Sequence, residues 1–366
     1  MYQAMYPSNT KYLEENHVVS PLLSAGRVEE KMVSRYLAKL VGGKHVFASG
    51  RRQIRPLGGG FNNRLYEIEI DASAYVIKIY PIDRMQRLDC EFAAMEQLSF
   101  LDTVPNVVIK DRMAVELSAP VLIYEKLPGL SMDPASISLE DLEALLETWV
   151  KVHGITFSNA TPLAKPAGPA SPEDCLRYID KNLYAMATSD AMHESSFRNA
   201  IDRLNDQRRC LALMNLNLTL WNESHFHLCH GDCRPSNLLR MGPGRIGLVD
   251  WEHAGTMDPF FEVASFFTHP ESIKIATCIR ERALESYCER SDDPYSFEKL
   301  NVYQTILPFQ WAVRILSLIV DYDRQVVQSW NKKRPKEALW SDLDYYSRLA
   351  SQKLAERVPE LAPCPG

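Results

Sequence analysis

Two aspartates and an asparagine, Asp232, Asn237 and Asp250, constrain this chain more than any other feature. The first two lie in His230-Gly231-Asp232-Cys233-Arg234-Pro235-Ser236-Asn237 and the third in Leu248-Val249-Asp250-Trp251-Glu252. Phosphoryl transfer needs one oxygen group to orient an attacking hydroxyl and take its proton. It needs further hard oxygen donors for the cations that neutralise nucleotide phosphates. These residues supply both in the order of that template, with Asp232 at the nucleophile and Asn237 and Asp250 on the metal. Between them, two short apolar stretches flank Gly242-Pro243-Gly244, the pattern of a β-hairpin that would return Asp250 to the side of Asn237. Taken singly, an Asp or Asn more often organises a loop or caps a turn, so the weight rests on the set.

A second group lies about 170 residues upstream. Leu57-Gly58-Gly59-Gly60-Phe61-Asn62-Asn63 joins the apolar stretch around Ile54 to the alternating run Leu65, Glu67, Ile68, Ile70. Backbone amides unobstructed by side chains can cradle phosphate oxygens, which assigns Gly59, Gly60, Phe61, Asn62 and Asn63 to a phosphate cover. The run is neither a Walker A loop nor GxGxxG, and a plain flexible hairpin is the alternative. Next, Ala74-Tyr75-Val76-Ile77-Lys78-Ile79-Tyr80 is a strand of β-branched and aromatic residues with one interior lysine. On the template such a lysine holds the α- and β-phosphates and is fixed by a glutamate on the following helix. Residues 83–101 suit that helix: Asp83 is placed to cap it, and Leu88, Phe92, Met95 and Leu98 recur at helical spacing. Glu91 falls on the inward stripe, with Glu96 flanking it. The bland alternative for Lys78 is an edge-strand lysine facing water.

These pieces, in this order, resemble the aminoglycoside phosphotransferase and choline kinase superfamily, small-molecule kinases similar to shortened protein kinases. The matching stretches are 58–66, Lys78, Glu91, the connector Leu122-Ile123-Tyr124-Glu125-Lys126-Leu127-Pro128-Gly129, 149–153, 230–239 and 249–267. The resemblance implies an α+β, bilobal protein-kinase-like fold. A small nucleotide-binding lobe with an antiparallel sheet plus helix would occupy 1–125, and a large, mainly helical lobe 126–366. It implies ATP and Mg2+ as cofactors and a small-molecule hydroxyl as acceptor. It also places the backbone of Tyr124, Glu125 and Leu127 against the adenine edge. His153, His230 and Glu262 would brace the catalytic loop. Gly231 replaces the arginine that protein kinases pair with a phosphorylated activation segment, and Trp251-Glu252 replaces Phe-Gly, so no such switch is implied. Gly231 is similar to the aminoglycoside branch, whereas 250–264 is similar to choline and thiamine kinases, so aminoglycoside, choline, ethanolamine, thiamine and other metabolites all stand as acceptors. A catalytically silent kinase-like binding module is the remaining alternative.

Composition fits a globular enzyme: 366 residues, 46% hydrophobic and 24% charged, are ample for one or two domains with a core. With 41 basic and 47 acidic residues the formal net charge is −6, which offers no basic stripe for nucleic acid and suits a cationic acceptor. The start, Met1-Tyr2-Gln3-Ala4-Met5, lacks the marks of a signal peptide, and the apolar run 305–320 is broken by Gln310 and Arg314. The expectation is a cytoplasmic protein without a membrane partner, its run 305–320 a buried helix. Eight irregularly spaced cysteines read as reduced thiols. His225, His227, Cys229 and Cys233 have zinc-compatible chemistry, but the resemblance makes this run the strand entering the catalytic loop. Residues 28–40 predict an initial helix, 138–153 a strong one, and 173–220 a helical segment that walls the acceptor site or merely covers it. Aromatic and acidic residues near Trp311, Tyr322, Trp330 and Tyr346 read as core or as a cage for a quaternary ammonium.

Overall fold

In a computed structural model of the chain the described residues are 26–40, 52–57, 63–156, 162–214, 217–221, 227–323 and 335–357. The phosphate cover expected at Gly59, Gly60, Phe61 and Asn62 lies outside them, as do His225 and Trp330.

Strands β1 (Arg52–Leu57), β2 (Arg64–Ile70), β3 (Ser73–Ile79), β4 (Val107–Ala114) and β5 (Ala119–Glu125) form one antiparallel sheet in the order β1-β2-β3-β5-β4. Successive strand residues point to opposite faces, and here both faces are covered. Tyr75, Ile77 and Ile79 of β3 pack with Val121 and Ile123 of β5 into a cluster closed by Val33, Tyr36 and Leu37 of α1 (Gly26–Lys39). Val76 and Tyr80, with Leu122 and Tyr124, join Leu88, Ala94 and Met95 of α2 (Met85–Gln97) on the other face. Lys78 shares the parity of Val76 and Tyr80, so the pleat alone directs it inward beside α2, and it is 2% exposed. The edge-strand reading of Lys78 is thereby excluded, since β3 is central. The helix expected over 83–101 starts later than its sequence suggests: Asp83 sits inside a 3-10 turn (Ile82–Arg84), and Arg84 flanks α2 without a side-chain cap.

After β5 the chain enters a mainly helical region. Ser138 caps α3 (Leu139–His153) in a reciprocal box with Asp141, as a Ser-x-x-Asp start promises. A short strand β6 (Leu130–Ser131) pairs with β8 (Leu238–Gly242), which forms the expected hairpin with β9 (Arg245–Leu248). β7 (His227–Cys229) leads into the catalytic segment and pairs with β10 (Gly255–Met257). Helices α4 (Pro172–Ala187), α5 (Ser195–Leu213), α6 (Pro259–Thr268), α7 (Thr277–Arg290), α8 (Ser296–Asp323) and α9 (Lys336–Arg357) complete the large lobe. The apolar run 305–320 is the interior of α8, and α6 is buried along most of its length. No helix among the described residues is long and apolar enough to cross a membrane.

Candidate active site

The strand parity that buries Lys78 also aims it at the catalytic segment. Its Nζ lies 2.5 Å from Glu91 Oε2 on α2, 2.5 Å from Asp250 Oδ1 and 3.3 Å from Glu252 Oε2. Residues separated by 172 positions in the chain therefore meet directly. Burial by itself would depress the lysine pKa, but Asp250, Glu91, Tyr80 and Glu252 outweigh it and hold the ammonium well above its usual range. Burial acts oppositely on the carboxylates. Glu91, 0% exposed, is pushed up to about 7 by desolvation, with Lys78 opposing and the neighbouring Asp250 and Glu252 adding to the rise. Asp250 and Glu252 resist the same desolvation because Lys78 holds them below the ordinary carboxylate range. The Tyr80 hydroxyl donates to Glu91 Oε2, the same oxygen that Lys78 meets.

Asp250 adopts a left-handed backbone, φ 71° and ψ 55°, a conformation a non-glycine residue holds only where its surroundings dictate it. The adjoining Trp251 supplies part of that force: it is fully buried, donates from Nε1 to Leu248 O at 2.9 Å and packs 4.5 Å from the His230 ring. His230 in turn donates from Nε2 to Val249 O at 3.0 Å and accepts the Asp232 N–H on Nδ1 at 3.2 Å. Both ring nitrogens are used in the neutral form, consistent with burial lowering its pKa.

Asp232 keeps 36% of its side chain exposed, yet its depth in the protein raises its pKa by desolvation, against the pull of Arg234. Asn237 donates from Nδ2 to Asp232 O at 2.8 Å, which leaves Oδ1 as the side chain's acceptor, and the Val249 N–H donates to Asn237 O at 3.1 Å. Two hydrogen bonds thus tie Asn237 to Asp232 and to Val249, the residue before Asp250. Oxygen of Asn237 and the second carboxylate oxygen of Asp250 are the hard donors that Mg2+ prefers, so this set fits the expected metal.

Beneath the catalytic segment, Glu262 of α6 accepts the Gly231 N–H at 2.7 Å and the His230 N–H at 3.2 Å. His153, at the end of α3, donates to Glu262 Oε2 at 3.0 Å and accepts from the Tyr287 hydroxyl on Nδ1 at 2.8 Å. His227 donates to His153 O at 2.6 Å, so this cluster of imidazoles is satisfied by protein groups. Gly231 has φ +82°, and a Cβ there would lie 2.0 Å from His253 O, so no side chain fits where protein kinases carry arginine.

The connector continues from β5, and two of the backbone N–H groups expected to be unpaired there are used within the protein. Tyr124 is buried beside the Lys78 cluster, while Glu125 and Lys126 donate their backbone N–H groups to Asn106 O and Ala74 O, each at 2.9 Å. Among the described residues the Leu127 N–H has no hydrogen-bond partner, although its carbonyl accepts from Gly129 at 2.9 Å. Asn63, the described end of the glycine turn, donates to Glu252 Oε2, and Arg87 of α2 donates to Glu252 Oε1 at 2.7 Å. Glu252 is a site residue that the sequence did not single out. Its partners come from far along the chain, and a glutamate after Asp-Trp carries no local sign of three basic or amide neighbours.

The fold and this constellation define a protein-kinase-like phosphotransferase architecture. Residues 53–297 match the phosphotransferase enzyme family (APH), and the chain belongs to that family. Among curated relatives, Protein LicA of Haemophilus influenzae is 24% identical over 169 residues, 38% of this chain. The match spans 60% of one LicA sequence and 48% of another, so the chain spans about half the length of those relatives. Three solved structures share the fold. A candidate aminoglycoside phosphotransferase of Ralstonia eutropha JMP134 has TM-score 0.64 and 13% identity, covering 89% of this chain and 98% of its own. Choline kinase LicA of Streptococcus pneumoniae has TM-score 0.54 and 17% identity, covering 90% and 99%. The GDP and kanamycin complex of the aminoglycoside phosphotransferase APH(2″)-IIIa has TM-score 0.54 and 16% identity, covering 81% and 94%.

Proposed function

We propose that the chain transfers the γ-phosphoryl group of ATP to a hydroxyl of a small molecule. The observation that carries this reading is the meeting of Lys78, Glu91 and Asp250 within 2.5 Å contacts, next to an aspartate and asparagine joined by the catalytic segment. In this reading Asp232 orients the acceptor hydroxyl and takes its proton as the oxygen attacks phosphorus. Its raised pKa suits that task, because a base works best when its affinity for the proton approaches the working pH. Lys78, fixed by Glu91, binds the α- and β-phosphates. Gly59 to Asn63 would supply amides to the phosphates, and Tyr124, Glu125 and Leu127 line the adenine, the Leu127 N–H, without a partner among the described residues, offering a donor to the ring edge. Asn237 and Asp250 would hold Mg2+, which when bound neutralises charge on the phosphates. Nucleotide use is supported by the GDP-bound neighbour, and positioning with charge neutralisation accounts for most of the rate in such reactions.

The complete set argues against a silent binding module, since a module that had lost catalysis would have no use for both a buried lysine and an acid at the nucleophile. We place the boundary between lobes after residue 125, where β5 ends. Incubating the protein with γ-labelled ATP, Mg2+ and a panel of hydroxyl compounds tests the reading. It expects label in a small product, and ATP consumption that depends on an added acceptor.

A further inference from the structure

We infer that the acceptor carries an anionic group, a carboxylate or a phosphate, and that Arg234 and Arg314 hold that group beside Asp232. The inference rests on the phosphotransferase reading and names the substrate class of the same site. Arg234 Nε lies 3.4 Å from Asp232 Oδ2, and its Nη1 lies 3.5 Å from Glu271 Oε1. These are ion-pair separations rather than strong hydrogen bonds, and the buried Nε has no hydrogen-bond partner. A buried guanidinium N–H without an acceptor is costly, and a ligand oxygen relieves that cost. Glu271 approaches Arg234 only to 3.5 Å, and it also accepts the Ser236 N–H at 3.0 Å and the Ser236 hydroxyl at 3.3 Å.

The second cation comes from α8. The Arg314 guanidinium stands 4.9 Å over the Trp311 ring, which packs edge-on to His269 at 5.3 Å. Arg234 and Arg314 converge on the same neighbours: after burial they are the two cations that push the His269 pKa down to about 3, and both act on Asp232. Arg234 beside Asp232, with the Arg314 guanidinium on the Trp311 and His269 side, presents planar groups of the kind that match a carboxylate or phosphate. The cationic acceptor expected from net charge fits poorly here. A quaternary ammonium would need an aromatic face, and Trp311 already has Arg314 over one face and is stacked on Tyr346 at 5.9 Å.

Matched acceptors decide the matter. Hydroxy acids and phosphorylated alcohols would be compared with their amide and amine counterparts, using ATP consumption and product mass as readouts. The anionic member of each pair is expected to show kcat/KM higher by about 100-fold, the worth of two charge-assisted contacts. Arg314→Gln is expected to raise KM for the anionic acceptor by roughly 10-fold or more, and Arg314→Lys to recover part of it. Nucleotide affinity and melting temperature are read on each variant, so that misfolding is recognised. Preference for choline-like or polyamine acceptors would overturn the proposal. So would Arg234→Gln lowering kcat equally for charged and uncharged acceptors while Arg314→Gln changes nothing, because Arg234 would then serve the transferred phosphoryl group. Absence of both nucleotide binding and transfer would overturn the phosphotransferase reading and this proposal with it.

Discussion

Lys78 is one ammonium among three carboxylates, and that imbalance makes the site sensitive to proton activity. Glu91 has a folded-state pKa near 7 against an ordinary 4.5, so the folded protein binds its proton more tightly than the unfolded chain does. The stability from this group is fully present below pH 4.5 and is lost as pH rises through 7. Glu91→Gln is therefore expected to flatten the stability profile across that window by on the order of 3 kcal/mol, measured by urea denaturation at a series of pH values. An unchanged slope would show that the glutamate is ionised throughout. Gly231 gives a second prediction. Its φ of +82° and the 2.0 Å approach of His253 O leave no room for a methyl group. Gly231→Ala should cost about 1–3 kcal/mol in backbone strain alone and impair turnover, checked by thermal melting and kinetics together. At this scale the sequence was legible where a residue type broke its surroundings, as a lysine does in an apolar strand. It was silent for Glu252, whose partners Asn63, Lys78 and Arg87 are set by folding rather than by spacing.

Among elements, α6 reaches the catalytic segment directly. Its Glu262 accepts two consecutive N–H groups of that segment and is held by His153 of α3, so two helices set the height of the segment that carries Asp232. Glu262→Ala would strand two buried donors, at about 1–3 kcal/mol each, with a loss of kcat larger than any change in nucleotide affinity. Equal loss in both would mean that the helix supports the nucleotide site as well. Elements with strong periodicity, α2, α3 and the β8-β9 hairpin, were readable from apolar spacing and turn residues. The start of α2 was not, because Asp83 is taken into a 3-10 turn and never reaches the flanking position. β6 and β10, two and three residues long, are too short for an alternating pattern to register.

Across the whole molecule, the sheet side and the helical side are joined at the site by polar bonds. Arg87 and Asn63 bind Glu252, and the Cys90 thiol donates to Ala254 O at 2.7 Å. Arg87→Ala would leave Glu252 with one fewer cation, and faster amide exchange is expected in α2 and in residues 250–254, read by hydrogen-exchange mass spectrometry. Exchange unchanged there would show that packing alone joins the two sides. The fold class was readable because motifs in a fixed order must converge to be useful; the acceptor was not, because net charge is a sum over the whole chain and carries no position. The central claim is that these distant stretches build one phosphoryl-transfer site, and the most direct test is paired measurement on Asp232→Asn. The account predicts nucleotide binding at wild-type affinity with transfer from γ-labelled ATP slowed by about 100-fold or more; transfer at the wild-type rate would contradict it.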